Sequence, residues 1–391
     1  MFQSVKGAQG VSFFTPKQPI LGGFVKYLDN SKLENINDRS PPLLFTPMKI
    51  RSMTIPNRIT VSPMCTYSSI DASPTVFHTV HYGSLAMRGP GLIIAEYTSI
   101  CEDGKFSFND LGLWNDQLAS DHYNKIVEFV HSQNSKIGIQ LGHFINNNTT
   151  SNTLEPPFLV NTLTTDDIDQ MIKNWGDVCQ RAIHISKYDF IEIQASHGYI
   201  FQQFLSPLWN KRSDSYNENL KGRMSFLLKV IDEIRNKISS DTPIFIRLPD
   251  CDKSESKYCL TQEDTVQICI ELVKHGIDVL DFVCVNPGDL KIPRYQGKTR
   301  FLEKVRHSLK ENGLSAIICS PSRILSAREA ETILQSGKQD LIVIGSQFLK
   351  NPALVTDFAN QLDIQITQPV QYSWGFYPTN NHLETLKSKS K

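Results

Sequence analysis

The chain has 391 residues, 40% of them hydrophobic, and its 40 Lys plus Arg are balanced by 40 Asp plus Glu. That length supports one large core, and the charge balance excludes a field that would gather nucleic acid or an anionic membrane surface; a small-molecule partner is expected. No apolar run nears the ~18 residues of a membrane span and no signal pattern opens the chain, so the expected location is the cytoplasm.

Residues 1–42 mix Gly, Pro, Ser, Asn and charges up to Pro41-Pro42 and read as a loosely ordered leader. From Leu43 on, short apolar runs of β type recur: Arg58–Met64, Leu92–Ile100, Lys136–Leu141, Phe190–Ala195, Pro243–Leu248, Val279–Val285, Ala316–Cys319 and Leu341–Ile344. Helical patterns lie between them: Phe77–Met87, Leu118–Ser132, Asp166–Ile185, Asn219–Ile238, Gln262–His275, Phe301–Glu311, Ala327–Gln335 and Pro352–Gln361. Thr165 or Asp166 and Thr261 are good N-cap types, and Gly276 and Gly337 suit left-handed C-terminal positions.

Near-continuous apolar strands alternating with amphipathic helices imply a parallel sheet covered on its outer face, and eight such units close a (β/α)₈ TIM barrel of the α/β class. The barrel is expected over residues 43–378, followed by a polar tail over 379–391. A doubly wound open sheet is the alternative, but Ser62-Pro63-Met64-Cys65 follows the first strand where a glycine-rich phosphate fingerprint would stand.

A barrel of this kind builds its site at the C-terminal strand ends. In order, these carry Cys65, Thr66 and Tyr67; Glu96 and Tyr97; Gln140 and His143; Gln194, His197 and Tyr199; Arg247; Asn286 and Gly288; Ser320 and Ser322; Gly345 and Ser346. Glu96 is the one carboxylate in that set, which argues against paired-carboxylate chemistry and for a cofactor that supplies the reactivity. The eight cysteines show neither CxxC pairs nor closely spaced His partners, so no metal site is expected. On residue type alone Cys65 reads as a buried small hydrophobe and Tyr199 as a packed aromatic. Arg247 differs, because a guanidinium ending an apolar strand requires an anionic or carbonyl partner.

The segment LFTPMKIRSMTIPNRITVSPMCTYS, residues 44–68, resembles the opening of the old yellow enzyme family, in its thermophilic-like class with a cysteine after the first strand. HTVHYGSLAMRGPGLIIAEYTSI, DLGLWND, KIGIQLGH, GRMSFLLKVIDEIR, PIFIRLP and DLIVIGSQFLKNP agree in the same order. DFIEIQASHGYIFQQFLSPLWNKRSDSY is the most specific stretch. The resemblance implies an FMN-dependent, NAD(P)H-driven ene-reductase. It also implies that Pro63, Met64, Cys65, Gln140, Arg247, Gly345 and Ser346 line the flavin, that Gln194, His197 and Tyr67 contact substrate, and that Tyr199 donates a proton with His197 assisting. Hydride transfer to the β-carbon of an activated alkene builds charge on the carbonyl oxygen, which an imidazole stabilises, and a phenol can then protonate the α-carbon. A homo-oligomer is compatible with the resemblance.

Several positions depart from the family pattern. Gln194 replaces a histidine donor, Tyr97 a small residue facing the flavin, and GHFINNN the family's AHAGRK. Cys319 and Ser322 stand where phosphate-end glycines are expected, Ser346 where an arginine is expected, and Trp374 where an arginine reaches a neighbouring subunit. Glycines let backbone N–H groups approach phosphate and arginine adds a bidentate charge, so these changes weaken FMN binding, with Arg323 and Lys350 nearby in sequence to compensate. The alternative function is a barrel that has lost or weakened FMN and acts as a redox-neutral enzyme, a ligand-binding protein or a non-catalytic partner.

Overall fold

The computed structural model describes residues 6–28, 40–144, 159–252, 254, 256, 258–283, 294–321 and 324–376. The eight barrel strands are β1 (Ile59–Val61), β2 (Leu92–Ser99), β3 (Ile137–Gly142), β4 (Phe190–Gln194), β5 (Ile244–Pro249), β6 (Val279–Val283), β7 (Ile317–Pro321) and β8 (Leu341–Ile344). Each pairs in parallel with the next, and β8 pairs with β1 through Ile342↔Ile59, which closes the ring. The expected (β/α)₈ TIM barrel is therefore the fold, with strand boundaries displaced by a few residues at most; positions 284 and 285 of the sixth expected strand lie outside the described residues.

The covering helices are α1 (Val76–Ala86), α2 (Tyr123–Ser132), α3 (Thr165–His184), α4 (Leu220–Lys237), α5 (Gln262–Lys274), α6 (Arg294–Glu311), α7 (Ala327–Gln335) and α8 (Leu354–Gln361). Thr261 caps α5 as expected, accepting from the Asp264 N–H, and Gly276 and Gly337 have φ of +97° and +70°. The cap of α3 is Thr164, one residue before the expected pair, in a capping box with Asp167. The expected helix Leu118–Ser132 is two helices, Asp116–Asp121 and α2, because the backbone leaves the helical region at His122, with φ −125° and ψ −33°. No helix among the described residues is long and apolar enough to cross a membrane.

Two apolar layers result. One lies between helices and strands, and includes Trp175, Phe201 and Phe226. The other fills the lower barrel, where Phe190 stacks on Phe245 with centroids 4.4 Å apart and Leu92, Ile94, Val279, Cys319, Leu341 and Val343 complete the packing. An antiparallel hairpin, Met48–Ile50 with Met53–Ile55, packs into this layer through Ile50, Met53 and Ile55.

The leader differs from its reading where it is described. Phe24–Tyr27 forms a strand antiparallel to Ile364–Ile366, and Leu21 and Gln18 are buried. Gln18 donates to Gln371 and accepts the Val370 N–H, so this segment is held against the chain's far end by backbone and side-chain hydrogen bonds.

Candidate active site

A polar ladder crosses four adjacent strands above the apolar layer. Gln140 on β3 donates its Nε2 to Glu192 Oε1 on β4 at 2.7 Å. Glu192 lies 3.7 Å from Arg247 Nε on β5, and that nitrogen donates at 2.8 Å to Asp281 on β6. Arg247 Nη2 reaches both Asp281 and, at 3.2 Å, Ser62 Oγ at the end of β1. The strand register places these residues side by side, with Gln140↔Glu192 and Arg247↔Asp281 as paired positions.

This ladder corrects two readings. Arg247 has its anionic partners within the protein, so its burial by itself does not call for a ligand. Glu96 is also not the only carboxylate near the strand ends: Glu192 and Asp281 sit within apolar runs, FIEIQ and VLDFV, at fully buried positions. Burial pushes the Glu192 carboxyl above the usual carboxylate range, against the pull of Arg247 and with Asp281 adding to the rise. Glu192 Oε2 and Asp281 Oδ1 are buried without a hydrogen-bond partner among the described residues.

Glu96 has a separate task. Its carboxylate accepts from the Thr66 N–H at 2.7 Å, the Thr66 hydroxyl at 2.9 Å and the Tyr82 hydroxyl at 3.0 Å, so it fixes the turn that carries Cys65 and Tyr67. His78 on α1 lies beside it, 3.5 Å from Glu96, with Nδ1 accepting the Thr75 N–H; burial lowers its pKa to about 4.

Above the ladder lies an aromatic group. Tyr97 is 2% exposed, its ring centroid is 4.8 Å from that of Tyr199, and Phe144 packs on Tyr199 at 5.3 Å. The Tyr97 hydroxyl donates to Gly104 O at 2.5 Å and accepts the Phe144 N–H at 3.2 Å. Cys65 packs against this cluster, and burial, reinforced by Asp110 and Glu96, pushes its thiol up to about 12. Burial likewise raises the Tyr199 phenol, with Cys65 next in effect, so it is a protonated donor at neutral pH.

The remaining candidates take these places. Gln194 ends β4 and is buried, with Oε1 accepting from Ser196 Oγ at 2.7 Å and Nε2 directed at Gln140 Oε1 at 3.4 Å. His197 is exposed, with φ +57° and Nδ1 2.8 Å from Ser196 Oγ. Tyr67, half exposed, stands over Cys65 with φ +50°. Met64 lies against Gly345, where an added Cβ would come 3.3 Å from its sulfur; Pro63 is half-buried and Ser346 is exposed at the first turn of Ser346–Lys350. The strand ends thus bring Cys65, Tyr67, Tyr97, Gln140, Gln194, Tyr199 and Arg247 to one mouth. Cys319, expected at the phosphate end, lies inside the barrel, because β7 continues to Pro321. Ser322, Arg323, Asn286 and Gly288 fall outside the described residues.

A sequence model of the "NADH:flavin oxidoreductase / NADH oxidase family" matches residues 43–365. The chain belongs to that family. It is 31% identical over 94% of its length to a Gibberella zeae NADH:flavin oxidoreductase, covering 95% of that protein. It is 33% identical to the Bacillus subtilis NADPH dehydrogenase, over 85% of this chain and 99% of the relative. Among solved structures, morphinone reductase superposes with a TM-score of 0.68 at 23% identity, covering 85% of this chain and 92% of that one. The old yellow enzyme homologue from Zymomonas mobilis does so with a TM-score of 0.69 at 20% identity, covering 84% and 94%. The old yellow enzyme resemblance read from the sequence is thereby established, and with it flavin-dependent, NAD(P)H-linked oxidoreduction as the family's chemistry.

Whether this chain's residues suit a flavin can be judged from their donors. Arg247 spends Nε and Nη2 on protein partners, and among the described residues none is found for Nη1. Among the described residues Gln140 Oε1 receives only the long contact from Gln194. One cationic donor and one amide acceptor remain at the mouth, as the polar edge of a flavin requires. The polar edge fits, and the register sets the buried Tyr97 beside Gln140.

Proposed function

We propose that the chain is an FMN-dependent, NAD(P)H-driven ene-reductase that reduces α,β-unsaturated carbonyl compounds, working in the cytoplasm. The observation that carries this reading is the convergence of Tyr199, a buried protonated phenol, with Gln194, His197 and the Arg247–Gln140 pair at one barrel mouth. Gln140, Arg247, Pro63, Met64, Cys65, Gly345 and Ser346 would hold FMN, which when bound supplies the hydride that NAD(P)H has delivered to it. Gln194 and His197 offer hydrogen bonds to the substrate carbonyl oxygen, where negative charge develops. Ser196 orients both, through Gln194 Oε1 and His197 Nδ1. Tyr199 gives its hydroxyl proton to the α-carbon and regains one from solvent. Tyr67 covers the substrate from the open side.

Purified protein should carry flavin and oxidise NAD(P)H when given 2-cyclohexenone. Tyr199→Phe should lower alkene reduction about 10²–10⁴-fold while NAD(P)H oxidation by ferricyanide, which needs no carbon protonation, continues. Equal loss of both activities would remove Tyr199 as proton donor.

A second reading rests on the Tyr97–Tyr199 packing: a barrel with weakened FMN binding that acts on a ligand without net redox change. Colourless protein that still binds an enone would favour it.

A further inference from the structure

Beside the aromatic group, β2 and β3 bring together three side chains that the flavin reading does not use. The register pairs Ser99 with Gly142, so Cys101 and Asp103, two and four residues past Ser99, lie next to His143, one past Gly142. Cys101 Sγ is 3.6 Å from His143 Nδ1 and 3.7 Å from Nε2. One ligand atom from each of Cys101, Asp103 and His143 lies within 4.8 Å of the others.

We propose that Cys101, Asp103 and His143 form a binding site for a zinc-type divalent transition-metal ion, with water as the fourth ligand. Zn–S and Zn–N bonds of about 2.3 and 2.0–2.1 Å at tetrahedral angles put sulfur and nitrogen about 3.5 Å apart, close to the separation found here. Thiolate with imidazole selects zinc, cobalt or copper over magnesium and calcium, which take all-oxygen shells. On binding, the Cys101 thiol gives its proton to solvent, and the neutral imidazole and carboxylate need give none.

The surrounding structure holds the three in place. Gly104 O accepts the Phe144 N–H at 2.9 Å and the Tyr97 hydroxyl, which pins the turn Glu102–Gly104 onto the end of β3. The Ile200 N–H donates to His143 O at 3.1 Å. A Cβ on Gly104 would lie 3.0 Å from both Cys101 Sγ and His143 Cδ2, so glycine lets the turn close over the cluster. Asp103 is exposed and leaves a side open for the cation and its water. A bound ion would tie the loops after β2 and β3 together next to Tyr97.

The test is titration of chelator-treated full-length protein with Co²⁺, followed by Zn²⁺ competition. The wild type should bind one Co²⁺ per chain with a sulfur-to-cobalt charge-transfer band in the near ultraviolet, and Zn²⁺ should abolish it. Cys251→Ala should keep the band, Cys101→Ala should lose it, and Asp103→Asn, an exposed change that spares folding, should weaken binding about tenfold or more. No band in the wild type, a band that persists in Cys101→Ala, or unchanged affinity in Asp103→Asn overturns the site.

Discussion

The Tyr97 and Tyr199 rings pack 4.8 Å apart at 56°, so the phenol assigned to proton delivery rests on a side chain from β2, at a position where the old yellow enzyme resemblance leads one to expect a small residue. Tyr97→Ala removes that support and the hydrogen bond to Gly104 O together. The variant should lose about 3–5 kcal/mol of stability, as for deletion of a buried aromatic, yet bind FMN more tightly because the mouth widens. Denaturant unfolding and flavin fluorescence titration read the two effects separately. Unchanged FMN affinity would mean that the ring stands clear of the flavin.

Ser346 lies exposed beyond β8, where the old yellow enzyme resemblance leads one to expect an arginine. Ser346→Arg should tighten FMN by roughly 1.5–3 kcal/mol through one charge-assisted contact to phosphate. If Tyr97 sets the limit, this change alone will do nothing and the double variant with Tyr97→Ala will bind best, which separates steric from electrostatic loss in a single titration series.

Arg247→Ala would leave Asp281 and Glu192 buried without their cation. It should abolish FMN binding and cost about 3–5 kcal/mol of stability. Adding Glu192→Gln and Asp281→Asn should restore much of the stability but none of the flavin affinity. Flavin retained in the triple variant would show that Arg247 serves the ladder alone.

His78 provides a pH signature. Its folded pKa, held at about 4 by burial, lies below the usual 6.5, so the folded state keeps it neutral while the unfolded chain takes up a proton. Stability from this group is complete above about pH 6.5 and falls as the pH drops from there toward 4. His81 and His143 shift in the same direction. His78→Asn, which retains an acceptor for the Thr75 N–H, should therefore remove no more than one proton from the slope of unfolding free energy between pH 6.5 and 4. A slope equal to that of the wild type would place the titration elsewhere.

Cys65→Ala should leave FMN binding intact and shift the bound flavin's reduction potential, if the thiol touches the ring edge. The same thiol, pushed up to about 12, should react slowly with iodoacetamide at pH 8, because so little thiolate is present. Rapid alkylation of Cys65 would contradict its packing against Tyr97 and Tyr199.

The strands were legible because each is buried on both faces, so Leu92–Ser99 and Ile244–Pro249 read as apolar runs wherever the chain is cut. The short helix Ile200–Leu205 was not, since all six of its residues are buried and no polar face marks a helical period. Glu192 and Asp281 are not legible as site residues, because their charges lie inside the apolar runs FIEIQ and VLDFV and not just past the strand ends. His143 stands out as a strand-end residue, but its pairing with Cys101 is not legible: 42 residues separate them, and only the β2–β3 register makes them neighbours.

The antiparallel pairing of Phe24–Tyr27 with Ile364–Ile366 has a consequence for how the chain matures. A nascent polypeptide carries Phe24–Tyr27 long before the partner strand has left the ribosome, so the two-stranded seam can form only after Ile364–Ile366 has emerged. Until then Phe24 and Tyr27 stay available to other edges, and a chain cut before Ile364 would keep them so.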